Sequence, residues 1–306
     1  MLGEMTVTEC DGVRIHTYTA PDEGWRVNTH LIELPTQIVA VDAQYTLRYA
    51  REIIDYIRIL GKPLTRLYIT HYHPDHLLGA AAFAAPLHAL AEVKAKIDLV
   101  GDRVAAEEHA KHGDIIPERA ERPSRIVVPG MEVIENTRFE FLQLRHAETE
   151  DALMIGLLDH RVLIAQDLIY NAVHVFIGEQ AFDSWGVALK TYRALPYERL
   201  LPGHGAPGGP ELYDAMAHYL SVARAALSEA SGPSDLKQRL IAAFPQFSGR
   251  ALLDHQMRFL FPARSNDDQH RQPCWRQRSL HALDQSHPSP GRDAETSSAR
   301  AHGQTD

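Results

Sequence analysis

Four side chains that can coordinate a metal ion lie within six consecutive positions of this sequence. The run His-Tyr-His-Pro-Asp-His supplies them as His71, His73, Asp75 and His76. A His-x-His pair on extended backbone directs both imidazoles to one side, because side chains alternate along a strand, and both can then reach one ion. Asp75 and His76 follow at the turn into a helix and can reach a second ion nearby. Taken alone, the segment is also compatible with a chance cluster of histidines.

Three later residues offer the same types of ligand where apolar runs end: His146, Asp167 and His204. Ligands converge when several strands present such residues at one edge of a sheet, because the strands hold their geometry. Each residue on its own is more often an ordinary loop residue, but the ordered series favours one metal site. Imidazole and carboxylate suit Zn²⁺ and also Mn²⁺ or Fe²⁺, and we expect zinc.

The apolar pattern predicts the elements that position these residues. Residues 28–34 and 36–42 are β-rich, and residues 46–60 show helical spacing that ends at Gly61. A strand over residues 64–70 then leads into the histidine run, which we place in a loop between that strand and a helix. Further strands are predicted over residues 138–144, 152–158, 161–167 and 198–205, and further helices over residues 77–84, 92–112, 185–195, 211–230 and 236–244.

The composition changes near residue 265. Residues 265–306 are rich in Gln, Ser, His, Arg and Pro and have almost no apolar periodicity, so we expect a disordered tail. Its four histidines share no spacing and are not predicted to form a site. The rest of the chain predicts a catalytic domain over residues 1–232, with a helical extension over residues 233–264 packed on it.

Charge and hydropathy limit the classes of partner. The chain has 31 Lys and Arg residues against 40 Asp and Glu, a net charge of −9, without a basic block, so we expect no nucleic-acid partner. We found neither an apolar run of the roughly 18 to 20 residues that span a membrane nor an export signal, and we expect a cytoplasmic protein with no membrane partner. Cys10 and Cys274 lie at opposite ends of the chain and predict no structural disulfide.

Over roughly residues 25 to 205 the sequence resembles the metallo-β-lactamase superfamily of metallohydrolases. The resemblance rests on five ordered features: Asp42 closing an apolar run, the HxHxDH run, His146, Asp167, and His204 within Pro-Gly-His-Gly. It implies an α/β fold, a four-layer αββα sandwich, with two metal ions in a cleft at one edge of the sheets. An apolar groove between the sandwich and the C-terminal helices could also serve a homodimer.

The resemblance also implies a role for each matching residue. One metal would be held by His71, His73 and His146. The other would be held by Asp75, His76 and His204, with Asp167 between the two and Asp42 bracing the ligand loop. The expected content is therefore two zinc ions per chain, with iron or manganese as alternatives.

Two departures from the family pattern surround these ligands. The third motif usually reads Pro-Gly-His-Thr, whereas here His146 is followed by the acidic residues Glu148, Glu150 and Asp151. The glycine that normally precedes the bridging aspartate is Gln166.

The implied reaction is hydrolysis by a metal-bound hydroxide, because two cations can lower the pKa of a shared water toward about 7. We expect an ester, lactone or thioester of a small molecule as substrate. Asp75 is a candidate to orient the hydroxide or pass its proton onward. Tyr170, three residues after Asp167, is similar to a tyrosine of the lactonase branch that helps stabilise the reacting carbonyl oxygen. His174 and Trp185 are weaker candidates for the pocket wall, since packing is the commoner role for such residues.

Other branches fit less well. The missing export signal argues against a β-lactamase, the lack of a basic and tyrosine cluster after His204 argues against glyoxalase II, and the acidic balance argues against a nuclease. A mononuclear iron enzyme that oxidises persulfides stays open. A di-iron electron-transfer protein would need a flavin domain, and a metal-binding scaffold without turnover is the third alternative.

Overall fold

The computed structural model describes residues 1–262, so the expected tail of residues 265–306 lies outside the described residues. Two β-sheets form the centre of the fold. The first has seven strands in chain order: β1 Glu4–Cys10, β2 Val13–Thr19, β3 Asn28–Glu33, β4 Ile38–Val41, β5 Leu64–Tyr68, β6 Leu87–Leu90 and β7 Arg125–Val127. The second has the order β12-β11-β10-β9-β8: β8 Gly130–Ile134, β9 Thr137–Arg145, β10 Asp151–Leu157, β11 Val162–Asn171 and β12 Arg199–Gly205.

Within residues 1–262, seven helices flank the sheets: α1 Leu47–Leu60, α2 Pro74–Leu77, α3 Ala91–His112, α4 Phe182–Arg193, α5 Glu211–Glu229, α6 Pro233–Ala243 and α7 Arg250–Leu260. The helix α3 contacts β6 and β7 of the first sheet, whereas α4 and α5 contact β11 of the second. This arrangement is the predicted αββα sandwich. None of the helices within residues 1–262 is long and apolar enough to cross a membrane.

Three strands of the two sheets, β3, β4 and β11, are buried on both faces. Every residue of β3 and β4 is buried, and so is all of β11 except its last residue. Burial on both faces explains why these segments read as nearly continuous apolar runs instead of alternating ones. The rigid core therefore extends to the strand ends from which the candidate ligands project.

Local signals set the ends of α1 as predicted. The Thr46 side chain accepts a hydrogen bond from the Tyr49 backbone nitrogen at 3.3 Å, and Gly61 ends the helix with a φ of 71°. The helix expected over residues 77–84 is instead the short α2 followed by a 3-10 turn, Leu78–Ala82. In this turn a Cβ on Gly79 would lie 1.9 Å from the Ala43 carbonyl oxygen, so the close contact between the turn and the end of β4 requires glycine.

The C-terminal helices pack on the loop that follows β11. The fully buried Gln256 side chain of α7 donates to the Val175 carbonyl oxygen at 3.0 Å and accepts from the Ile177 nitrogen at 2.9 Å. The His174 nitrogen donates to the Ser248 carbonyl oxygen at 2.9 Å. These bonds attach α7 and the residues just before it to the loop that follows β11. The domain division at residue 232 stays a prediction.

Candidate metal centre

The histidine run lies between the end of β5 and the start of α2, and Asp42 holds it there. Asp42 is fully buried just after β4, with a left-handed φ of 61°. Its Oδ1 accepts from the Thr70 backbone nitrogen at 2.8 Å, and its Oδ2 accepts from the Thr70 hydroxyl and from His76 Nδ1, each at 2.7 Å. Because Nδ1 of His76 donates to this carboxylate, Nε2 is the ring nitrogen that faces the cluster, as in metal-binding histidines.

His204, at the end of β12, is oriented in the same manner by a backbone group. Its Nδ1 donates to the Trp25 carbonyl oxygen at 2.7 Å. Trp25 and Arg26 both have left-handed φ values, 62° and 57°, which turn the chain beneath the imidazole. The His204 Nε2 atom then lies 3.3 Å from Asp75 Oδ2. The strand β12 and this turn therefore aim Nε2 of His204 at the histidine run.

Asp167 lies in the middle of the cluster. Its Oδ1 is 3.3 Å from His76 Nε2, and its Oδ2 is 3.3 Å from His204 Nε2 and 3.9 Å from His71 Nε2. The Asp167 carboxylate fits here because residue 203 is glycine. A Cβ on residue 203 would lie 1.7 Å from Asp167 Oδ1. Asp167 can therefore contact ions on either side of it.

The structure does not bring His146 to this cluster; Glu148 lies there instead. The Glu148 side chain is 1% exposed, with Oε1 2.9 Å from His73 Nδ1 and Oε2 3.7 Å from His71 Nε2. His146 is exposed, with a left-handed φ of 52° directly after β9.

The physical reason is the tight turn between β9 and β10. Arg145 pairs with Asp151 across the two strands, and the His146 nitrogen donates to the Glu150 carbonyl oxygen at 2.9 Å. Only the tip of this turn faces inward, and Glu148 is near its centre. The acidic stretch after His146 was the signal in the sequence, because a carboxylate is itself a metal ligand.

The candidate ligands fall into two groups, and each group has a histidine within 4 Å of Asp167. Within each group the ligand atoms lie within 4.8 Å of one another. The groups are His71, His73 and Glu148, and Asp75, His76 and His204. A further close set joins Asp42 to His71 and His76.

Unpartnered buried atoms in these groups fit a bound cation. His71 Nε2, His76 Nε2, Glu148 Oε2 and Asp167 Oδ1 are buried and have no hydrogen-bond partner. Native structures seldom leave buried polar atoms unpaired without a reason such as an ion. The donors are imidazole nitrogens and carboxylate oxygens, which suit Zn²⁺, Mn²⁺ or Fe²⁺. The residues present therefore fit a divalent transition metal.

The charges of the cluster are strongly coupled. Burial, together with the nearby His76, lowers the pKa of His71 well below its usual value. Burial has the same tendency at His204, but Asp167 and Asp75 outweigh it and raise the pKa of His204 to about 9. Burial would raise the pKa of Asp167, but His76 and His204 hold it well below its usual range. Asp167 is therefore ionised at neutral pH, as a metal ligand must be.

Comparison with known proteins places this site in a family. The family model described as the metallo-β-lactamase superfamily matches residues 22–204, more than half of the chain. The chain belongs to the metallo-β-lactamase superfamily. The match spans Asp42, the histidine run, Asp167 and His204, and Glu148 lies within it.

Solved structures of this superfamily share the fold. The chain is 19% identical to a metallo-β-lactamase from Pontibacter korlensis, with a TM-score of 0.53, over 71% of this chain and 99% of the other. It is 20% identical to the metallo-β-lactamase FIM-1 from Pseudomonas aeruginosa in the mono-zinc form, with a TM-score of 0.52, over 72% and 96%.

A curated relative is a linear primary-alkylsulfatase from Pseudomonas sp. (strain ATCC 19151). It is 24% identical over 217 residues, which cover 58% of this chain and 41% of the relative. The chain thus spans about two fifths of that relative's length.

The other candidate residues in this member of the superfamily differ in their distance from the two ligand groups. The Tyr170 hydroxyl donates to Asp167 Oδ2 at 2.6 Å, and its ring stacks on His204 at 4.4 Å. Trp185 is 2% exposed and donates to the Leu168 carbonyl oxygen at 3.1 Å, while His174 lies 3.1 Å from the Tyr219 hydroxyl. Tyr170 is therefore part of the site, whereas Trp185 and His174 contact residues of the second sheet and the C-terminal helices.

The residue before Asp167 also has a structural role. Gln166, where the family usually has glycine, has a left-handed φ of 43° and its side chain donates to Asp42. Its amide joins the group that holds the ligand loop.

Proposed function

We propose that the protein is a metal-dependent hydrolase that cleaves an ester-type bond of a small molecule. The observation that carries this proposal is the pair of three-residue ligand groups, each of which has a histidine within 4 Å of Asp167. Two bound divalent cations would supply a water of lowered pKa and polarise the bond to be cleaved. We favour two zinc ions per chain, with iron or manganese as the alternatives.

The ligand set that we propose differs from the sequence-based one at one position. One ion would be held by His71, His73 and Glu148, the other by Asp75, His76 and His204, and Asp167 would lie between them. His146 has no role in this set, because its side chain is exposed.

Two residues of the chain are placed to assist the reaction. Asp75 Oδ2 lies 3.4 Å from His76 Nε2 and 3.3 Å from His204 Nε2, so this carboxylate can take a proton from the attacking water and deliver it to the leaving group. The Tyr170 hydroxyl either holds Asp167 in place, as its 2.6 Å hydrogen bond indicates, or turns to the oxygen on which charge develops.

The resemblance favours a carboxylic ester, a lactone or a thioester as the bond to be cleaved. The alkylsulfatase relative adds the sulfate ester of a linear primary alcohol. The test is a pH-stat screen of zinc-loaded protein on one member of each class. We expect acid release from at least one of them, at a rate that falls by at least about a hundredfold in His71→Ala. Turnover of none of the four classes, or full activity in His71→Ala, would overturn the proposal.

A second candidate function is oxidation of a persulfide at a single iron. The group of His71, His73 and Glu148 is a set of two histidines and one carboxylate, which is typical of non-haem Fe²⁺ oxygenases. This function predicts about one iron per purified chain and oxygen uptake with glutathione persulfide. Elemental analysis combined with an oxygen electrode separates it from the hydrolase.

A further inference from the structure

A continuous series of aromatic rings connects the two ligand groups along one side of the site. We call it the aromatic arc, and its members are Trp25, Tyr45, Phe176, His255 and Phe259. The Phe176 ring lies 5.3 Å from His73 and 5.5 Å from Phe259, which in turn lies 5.4 Å from His255. His255 lies 4.2 Å from Trp25, and Trp25 stacks on Tyr45 at 4.5 Å.

Two members of the arc lie next to candidate metal ligands. Phe176 at one end contacts His73, a member of the first ligand group. Near the other end, the backbone carbonyl oxygen of Trp25 accepts the hydrogen bond that orients His204 of the second group. A molecule reacting between the two groups would therefore lie beside this wall of rings.

Helix α7 supplies two residues of the arc, and polar contacts with α3 hold this helix in place. His255 and Phe259 are four residues apart and lie on one helix face. Arg258 Nη2 lies 3.0 Å from Glu108 Oε1 of α3, and the Tyr45 hydroxyl donates to the same carboxylate at 2.5 Å. Helix α7, which carries His255 and Phe259, is thus attached to α3.

The chemistry of the arc is apolar. Burial and the neighbouring Arg258 lower the pKa of His255 to about 3, so its imidazole is neutral. Arg258 lies over the Phe259 ring at 4.6 Å, but its charge is paired with Glu108. Trp25, Tyr45 and Phe176 are less than 9% exposed, whereas His255 and Phe259 on α7 are half-buried.

We propose that the aromatic arc binds the apolar acyl chain of the ester substrate, with α7 setting how long that chain can be. This inference rests on the proposed hydrolase function and adds the substrate class to it. The family match ends at residue 204 and α7 begins at Arg250, so this part of the site comes from outside the matched segment.

The test compares two p-nitrophenyl esters, the acetate and the octanoate, in wild type and in Phe259→Ala. We expect wild type to prefer the octanoate in kcat/KM, and we expect the octanoate-to-acetate ratio to fall about tenfold in Phe259→Ala. Ile59→Ala is the matched control, because Ile59 is a large apolar residue that is 81% exposed on α1, and its ratio should equal that of wild type. Phe259→Leu, which keeps an apolar side chain, should give an intermediate ratio.

Calorimetry with 1-octanol separates failure of the arc from failure of the hydrolase. This ligand has no bond to cleave, so its binding does not depend on turnover. Octanol affinity that falls about tenfold in Phe259→Ala and is unchanged in Ile59→Ala supports the arc, even if no ester is cleaved and the hydrolase proposal fails. Unchanged ester ratio and unchanged octanol affinity in Phe259→Ala, with a melting temperature equal to that of wild type, overturn the arc.

Discussion

Glu148 changes the charge of the proposed metal site. With His146 as the third ligand, the set would contain two carboxylates, Asp75 and Asp167. With Glu148 it contains three, so the two cations are neutralised further and the donors shift from nitrogen toward oxygen. Oxygen donors suit Mn²⁺ better than thiolate or pure imidazole sets do, which makes manganese and iron stronger competitors of zinc at this site.

Glu148→Gln tests this assignment because glutamine keeps the shape and removes the charge. We expect its affinity for zinc, measured by competition with a chromogenic chelator, to fall at least about tenfold. His146→Ala is the matched variant in the same turn and should bind zinc like wild type. A lower zinc affinity in His146→Ala than in Glu148→Gln would show that His146 is the ligand and that Glu148 is not.

Gly203 is a second residue on which the site depends. A Cβ at this position would lie 1.7 Å from Asp167 Oδ1, so Gly203→Ala must displace the central carboxylate. We expect loss of about one metal ion per chain by elemental analysis. Gly186→Ala on α4 is the control, because its Cβ would meet no atom within 4 Å and alanine favours a helix by up to about 1 kcal/mol. Equal metal content in both variants would contradict the position of Asp167.

At the scale of elements, burial decided which parts could be predicted. The strands β3, β4, β10 and β11 are buried along nearly their whole length, and their apolar runs gave the correct strands. β8 was not predicted, because four of its five residues are exposed and its pattern resembles a loop. The helix α7 lies within the helical extension predicted over residues 233–264, although its own bounds were not predicted; Leu252, Leu253 and Met257 are buried on it beside Gln256.

The attachment of α7 predicts a pH dependence of stability. Burial alone would raise the pKa of Glu108, but hydrogen bonds from Lys111, Tyr45 and Arg258 outweigh it and lower the pKa to about 2 from 4.5. A carboxyl with a lowered folded-state pKa stabilises the fold above its unfolded pKa, and this contribution is lost as the pH falls from about 4.5 toward 2.

Urea unfolding of Glu108→Gln measures that contribution. Because Lys111 and Arg258 are each 40% exposed, we expect a loss of only about 1 to 2 kcal/mol in the free energy of unfolding at pH 7. Near pH 2 the variant and wild type should converge. A difference that is equal at both pH values would show that the charge of Glu108 does not hold α7.

At the scale of the whole molecule, the sequence could predict the convergence of ligands from distant positions, because it follows from apolar runs and from ligand types at strand ends. The sandwich was implied by the resemblance to the superfamily. The sequence could not predict which side chain of the turn after Arg145 faces inward. That choice depends on the hydrogen bonds of the turn, such as the one between His146 and Glu150, and not on residue type.

Metal removal should destabilise the whole fold. The two ligand groups join the ends of both sheets, and without cations they leave buried atoms unpaired. At a zinc concentration about a hundredfold above the dissociation constant, we expect a melting temperature roughly 5 to 10 °C above that of chelator-treated protein. His71→Ala should lose most of this difference. A melting temperature independent of zinc in wild type would contradict coupling between the site and the fold.

The central claim is that residues from distant parts of the chain hold metal ions around Asp167. Anomalous diffraction from a crystal of zinc-loaded protein, recorded at the zinc absorption edge, tests it most directly. The account predicts two peaks, one contacting His71, His73 and Glu148 and the other contacting Asp75, His76 and His204. Peaks that lie away from Asp167, or a metal bound by the side chain of His146, would contradict it.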